Sequence, residues 1–169
     1  LESEIGYFST AATRSFPESV LDTTTWYVGM PRRKRHACCG YIHSTLDVLG
    51  GLRASGAPVA TAAEIRIEVP RYILPGVVKA ELPTAPNVAR FHLQYCASLV
   101  ACGADVIKPR HSMALSENLA RRDVAQTMQR IRIAPNDSLT HYHQCNVVLA
   151  DAAGRELARA EGRGPRGSP

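Results

Sequence analysis

The hexapeptide Glu64-Ile65-Arg66-Ile67-Glu68-Val69 alternates charged and aliphatic residues without interruption. Successive side chains of a strand point to opposite faces, so the segment predicts a strand with one dry and one wet face. A one-sided strand must be covered by a second layer. The candidates for that layer carry single apolar stripes at helical spacing: Ile42, Leu46, Leu49 and Leu52 in one segment, and Phe91, Tyr95 and Leu99 in another. Further strand-like runs lie at Gln129 to Ile133 and His143 to Ala150, followed by a turn at Gly154 and a short segment from Glu156 to Ala160. The expected fold is therefore α+β, with a small, mostly antiparallel sheet built from the segments near Ile65, Ile131 and Val147 and helices packed mainly on one face.

Boundaries follow from turn chemistry. A short helix is expected from Glu2 to Thr13, closed by Phe16-Pro17, and a strand from Thr23 to Val28, ended by Gly29 and Pro31. The first striped helix stops at Gly56-Ala57-Pro58. Pro70 to Pro86 holds four prolines and a glycine, which predicts a long connecting loop. A continuous helix is expected from Asn87, as N-cap, to Cys102, with Gly103 as its stop, and another from Ser116, again as cap, through Met128. Tyr95 falls on the apolar face of its helix and is expected in the core. Gly162 to Pro169 is expected to be a disordered tail, leaving residues 1–161 as the folded domain.

Composition excludes several classes. The 169 residues are 45% hydrophobic and 21% charged, as in an average globular domain, and no apolar run is long enough to cross a bilayer. The five cysteines are an odd number in apolar or helical contexts, which fits reduced thiols in the cytoplasm better than a secreted disulfide framework. Leu1 in first place, with no signal-peptide pattern after it, suggests a fragment or a processed chain. The formal charge of +5 suits nucleic acid, an anionic surface or an acidic substrate alike.

Chemistry concentrates in Lys34-Arg35-His36-Ala37-Cys38-Cys39-Gly40-Tyr41-Ile42-His43, followed by Asp47. The string reads as a loop entering a helix. His43 and Asp47 share a helical face, which would let Asp47 orient the imidazole. Lys34 is a compact cation suited to a carboxylate, and the free N–H groups of a first helical turn favour the same anion. Cys38 and Cys39 lack metal-ligand spacing and read as small buried hydrophobes. A solvated basic surface, or a nucleic-acid patch at Arg32 to Arg35, is the competing reading. Against nucleic acid, no aromatics interleave with the basic residues and no recognition helix rich in Arg and Asn is present.

The string from Lys34 to Asp47 resembles the lysine, cysteine–cysteine, histidine and aspartate motif in the second, smaller domain of the MmgE/PrpD family, whose members include 2-methylcitrate dehydratase, cis-aconitate decarboxylase and iminodisuccinate epimerase. Glu2 to Phe8 resembles that family's Gly-aromatic lead-in. Asn87 to Gly103 resembles its Ala-x-Phe-x-x-x-Tyr helix, and Gln129 to Gly154 its closing strands. His36 stands where an aromatic or proline is commoner, and Cys39 where some members have His.

The resemblance implies the small domain of a lyase or isomerase that acts on a di- or tricarboxylate without metal or organic cofactor. Catalysis would need a large helical domain, supplied in cis or by a separate chain, and the isolated chain would be inactive and prone to form homo-oligomers. Under it, Lys34 and His43 are the expected catalytic residues. Lys34, Cys39 and Tyr72 are the expected substrate contacts, and Asp47 supports them from behind. The other class is a binding or interaction module.

Overall fold

The computed structural model describes residues 34–165; the helix expected from Glu2 to Thr13 and the strand expected from Thr23 to Val28 lie outside them. A 3-10 turn at Gly40–Ile42 leads into α1 (His43–Ala54), followed by β1 (Glu64–Val69). A second 3-10 turn at Arg71–Ile73 runs into α2 (Leu74–Val77), and then come α3 (Pro86–Ala89) and α4 (Leu93–Ala101). Three further short helices, α5 (Pro109–Met113), α6 (Leu115–Ala120) and α7 (Arg122–Arg130), precede β2 (Ile131–Pro135), β3 (Cys145–Ala150) and β4 (Glu156–Gly162). No helix among the described residues is long and apolar enough to cross a membrane.

The four strands form one sheet in the order β2-β1-β3-β4. β1 pairs in parallel with β2, while β1–β3 and β3–β4 are antiparallel, so the α+β, mostly antiparallel expectation holds. The register explains the dry face. Ile65 sits opposite Ile131 on one side and Leu149 on the other, and Ile67 opposite Ile133 and Val147. Ile65, Ile67, Val147 and Leu149 are fully buried, each side chain contributing about 1.5–3 kcal/mol relative to exposure. α1 covers this face over β3 and β4, and α4 packs between α1 and α7.

The opposite face of β1 is half-buried rather than wet. Glu68 there accepts from the side-chain amides of Asn146 (2.8 Å) and Asn136 (2.9 Å), which hold its carboxyl below the usual range, Asn146 first.

Close approach sets the end of β4. A Cβ on Gly162 would lie 2.7 Å from Cys145 Sγ and 3.0 Å from Val48 Cγ2 of α1, so only glycine lets the strand end run under the helix. The folded region therefore extends through Gly162, past the expected boundary at residue 161.

Three other expectations need correction. The helix expected from Asn87 to Cys102 is two, broken at Arg90 to His92. The Arg90 carbonyl is taken by the backbone N–H of Cys39 (2.8 Å), and His92 is extended, with Nδ1 accepting from the N–H of Tyr95 as the cap of α4. Asn87 caps nothing. The helix expected from Ser116 to Met128 is likewise interrupted by an extended Arg121, and Ser116 lies inside α6 rather than before it. The proline-rich stretch after β1 is not loop throughout: Pro75 sits in the first turn of α2, where its missing N–H costs nothing.

The expected stops do hold. Gly56 (φ 82°) and Gly103 (φ 113°) follow α1 and α4. Ala57 and Ala104 donate back to Leu52 and Leu99, closing the last turn through a left-handed residue.

A candidate anion-binding cleft

The loop from Lys34 to Cys39 is pinned through its second half by backbone bonds to distant segments: Ala37 N–H to the Ile107 carbonyl (2.7 Å) and Cys39 N–H to that of Arg90 (2.8 Å). Behind it His36, 1% exposed, accepts from the Ile107 N–H at Nδ1 (3.1 Å) and so carries its proton on Nε2, which faces Asp47 Oδ1 at 3.3 Å. The same carboxylate oxygen receives Arg35 at 2.5 Å. The α1 carboxylate therefore grips the loop through Arg35 and His36, where the spacing of four residues predicts a bond to His43.

His43 is buried on the first turn of α1, with Nε2 at 3.4 Å from the Cys38 carbonyl. Its ring meets that of His36 edge-on at 5.2 Å. The two imidazoles back the loop from inside.

In front of the loop lies an open cleft of about 690 Å³, whose walls include Lys34, Arg35, Cys38, Cys39, Arg90 and Lys108. Lys34 is exposed and gives one donor to the Cys38 carbonyl (3.3 Å); an ammonium has two more. The Nε of Arg90 is buried without a hydrogen-bond partner among the described residues, a costly state. With Arg35 neutralised by Asp47, Lys34, Arg90 and Lys108 leave the cleft strongly cationic, which focuses potential toward an anion.

Of the residues the sequence singled out, Lys34 and Cys39 line this cleft, while His43 and Asp47 stand behind it. Tyr72 is 59% exposed on its 3-10 turn and does not line the cleft, nor does the first turn of α1, whose N–H groups were expected to meet the anion. Tyr95 is core, as expected: its hydroxyl donates to the His111 carbonyl (2.6 Å) and accepts from Asn118 (3.2 Å). Sequence reasoning missed Arg90 and Lys108, which no motif marks: the break between α3 and α4 brings Arg90 to the loop, and the bonds of Ile107 to Ala37 and His36 bring Lys108.

A second open cleft, about 720 Å³, is lined by Arg53, Thr127 and Arg130 among others. Its cations are already engaged: Arg130 with the carbonyls of Val59, Ala60 and Ala62 and the Thr127 hydroxyl, Arg53 with the Val100 carbonyl and the Asp105 carboxylate. It offers an anion little. Among the described residues no group of three or more His, Cys, Asp or Glu side chains converges as a metal-ligand set.

Burial of histidines, one of them at the cleft, has a measurable consequence. His36, His92 and His111 all have pKa values lowered, in each case first by desolvation, with the Asp47 bond opposing the shift at His36. They are neutral in the fold and take up protons more readily when unfolded. The stability they contribute is full above the unfolded value of about 6.5 and is lost as pH falls below it. Thermal melts should show Tm dropping as pH goes from about 7.5 to about 5.5; an unchanged Tm would mean that these imidazoles charge without opposing the fold. No protein-family model and no curated protein matches the chain.

Proposed function

We propose that this chain is the small domain of a lyase or isomerase that acts on a di- or tricarboxylate, with the cleft in front of Lys34 to Cys39 holding the substrate's carboxylates. The observation that carries the reading is the convergence of Lys34, Arg90 and Lys108 on one cleft. Removing a proton next to a carboxylate spreads negative charge onto the carboxylate oxygens. Fixed cations stabilise that state more than the ground state, so Lys34 fits the chemistry better than a neutral donor would.

His43 keeps its expected importance in a different role: from behind the Cys38 carbonyl it positions the loop rather than touching substrate. The proton-abstracting groups would come from a helical partner domain, in cis or as a second chain, and the assembled enzyme would be a cytoplasmic homo-oligomer needing no cofactor.

Calorimetric titration of the chain with a tricarboxylate tests the cleft, and assays for dehydration, decarboxylation and epimerisation after addition of a helical partner domain test the reaction. Binding should weaken at least ~10-fold in Arg90→Ala, since charge-assisted bonds are worth about 1.5–3 kcal/mol. Equal binding by wild type and variant would remove the cleft from the reading. Preference for a single-stranded oligonucleotide over any carboxylate would favour the interaction module.

A further inference from the structure

The apolar stripe of Phe91, Tyr95 and Leu99 divides in the fold. Tyr95 and Leu99 are 1% and 2% exposed, whereas Phe91 is 43% exposed. The break between α3 and α4 is the cause. The Phe91 N–H closes the end of α3 on the Val88 carbonyl (3.0 Å), and α4 begins only at Leu93. Phe91 therefore leaves the helical register that buries Tyr95 and Leu99, and it becomes part of the wall of the cationic cleft.

Of the large apolar side chains exposed among the described residues, Phe91 alone lines this cleft. Val106, half-buried, lines it too. The Cys39 N–H fixes the backbone beside the phenylalanine by holding the Arg90 carbonyl (2.8 Å), so the ring's anchor does not depend on a ligand. The wall thus offers two chemistries side by side: Lys34, Arg90 and Lys108 for negative charge, and an aromatic ring with a branched aliphatic for an apolar group. A wholly polar acid would satisfy the cations and leave the ring in water. An acid with an apolar arm satisfies both.

We propose that Phe91 forms an apolar subsite of the cleft, so that the preferred ligand is a dicarboxylate carrying an aryl or branched-alkyl arm rather than a wholly polar acid. The inference rests on the reading of the cleft as a carboxylate site and narrows the substrate class within it. The cations hold the carboxylates, and the arm lies against Phe91, removing apolar surface of both partners from water. An aryl arm gains further from ring-on-ring contact. Phe91 selects the ligand and takes no part in moving its proton.

Calorimetric titration of the full chain with succinate and with phenylsuccinate, which present the same two carboxylates, tests the subsite. Phenylsuccinate should bind at least ~10-fold more tightly. Phe91→Ala should bring the two affinities within ~2-fold of each other and leave that for succinate unchanged, while Phe91→Leu, which keeps much of the apolar surface, should retain part of the preference. Arg90→Ala should weaken both ligands together. A chain that binds succinate but gains less than ~2-fold from the phenyl group, or whose preference survives Phe91→Ala, would overturn the subsite and leave the carboxylate reading standing. Binding of neither acid would overturn both.

Discussion

Lys34→Ala should lower kcat/KM about 100-fold or more if the chain works, as proposed, in a lyase or isomerase assembled with a helical domain, because a cation that strengthens its contact in the transition state is worth about 2.7 kcal/mol or more. The ammonium is exposed at the cleft mouth and gives a donor to the Cys38 carbonyl, which aims the rest of the group at a bound carboxylate. Lys34→Arg should rescue poorly. A planar fork cannot keep that carbonyl contact and also occupy the point where a compact ammonium sits. Arg110→Ala is the control: Arg110 is exposed and lies off the cleft, so its loss should change kcat/KM by less than about 2-fold, with surface charge pairs worth about 0–1 kcal/mol at most. Equal losses at the two positions, with unchanged melts, would reduce Lys34 to one charge of a basic surface.

Asp47→Ala should destabilise the fold by about 2–3 kcal/mol, seen as a fall in Tm of roughly 6–10 °C. The carboxylate side chain is 7% exposed and is shared by Arg35 and the buried His36. Its removal leaves the His36 Nε2–H with no acceptor in a dry site, and that orphaned donor is the main cost. Asp47→Asn should recover part of the loss, since an amide oxygen can still accept from His36 but cannot neutralise Arg35. Arg35→Ala alone should cost less than about 1 kcal/mol, because its guanidinium is a third exposed and screened. A double-mutant cycle between Asp47→Ala and His36→Gln should give a coupling above about 1 kcal/mol. Simple additivity would mean that the carboxylate holds the loop by some other route.

How much of this was legible depends on how local each signal is. β1 was readable because six alternating residues need no information from elsewhere, and α1 and α4 ended where a glycine supplies the left-handed turn. The break at Arg90 to His92 was not, because local propensity favours helix through that stretch. It is overridden by a carbonyl claimed by Cys39, about fifty positions away in sequence. The site divides in the same way. Lys34 to Asp47 stood out as a dense run, yet the partner of Asp47 could not be read from a spacing of four: the tertiary bond between His36 and Ile107 swings the other imidazole into reach. Arg90 and Lys108 carry no marker of their own, and folding alone makes them part of the cleft.

The position of β1 between β2 and β3 governs the order in which the chain can assemble. β3 and β4 are joined by a tight turn at Gly154, in which Asp151 accepts from the N–H groups of Ala153 and Arg155, so this hairpin can close within microseconds and without help. β1 has no such neighbour. Its parallel partner begins at Ile131 and its antiparallel partner at Cys145, and each pairing must first close a loop that contains every helix after β1. Such closure is slow and is rewarded late. β1 is thus locked in after the hairpin, and β2, which pairs only with β1, no earlier; until then the β3 edge of the hairpin is open to whatever strand reaches it first, including one from another chain.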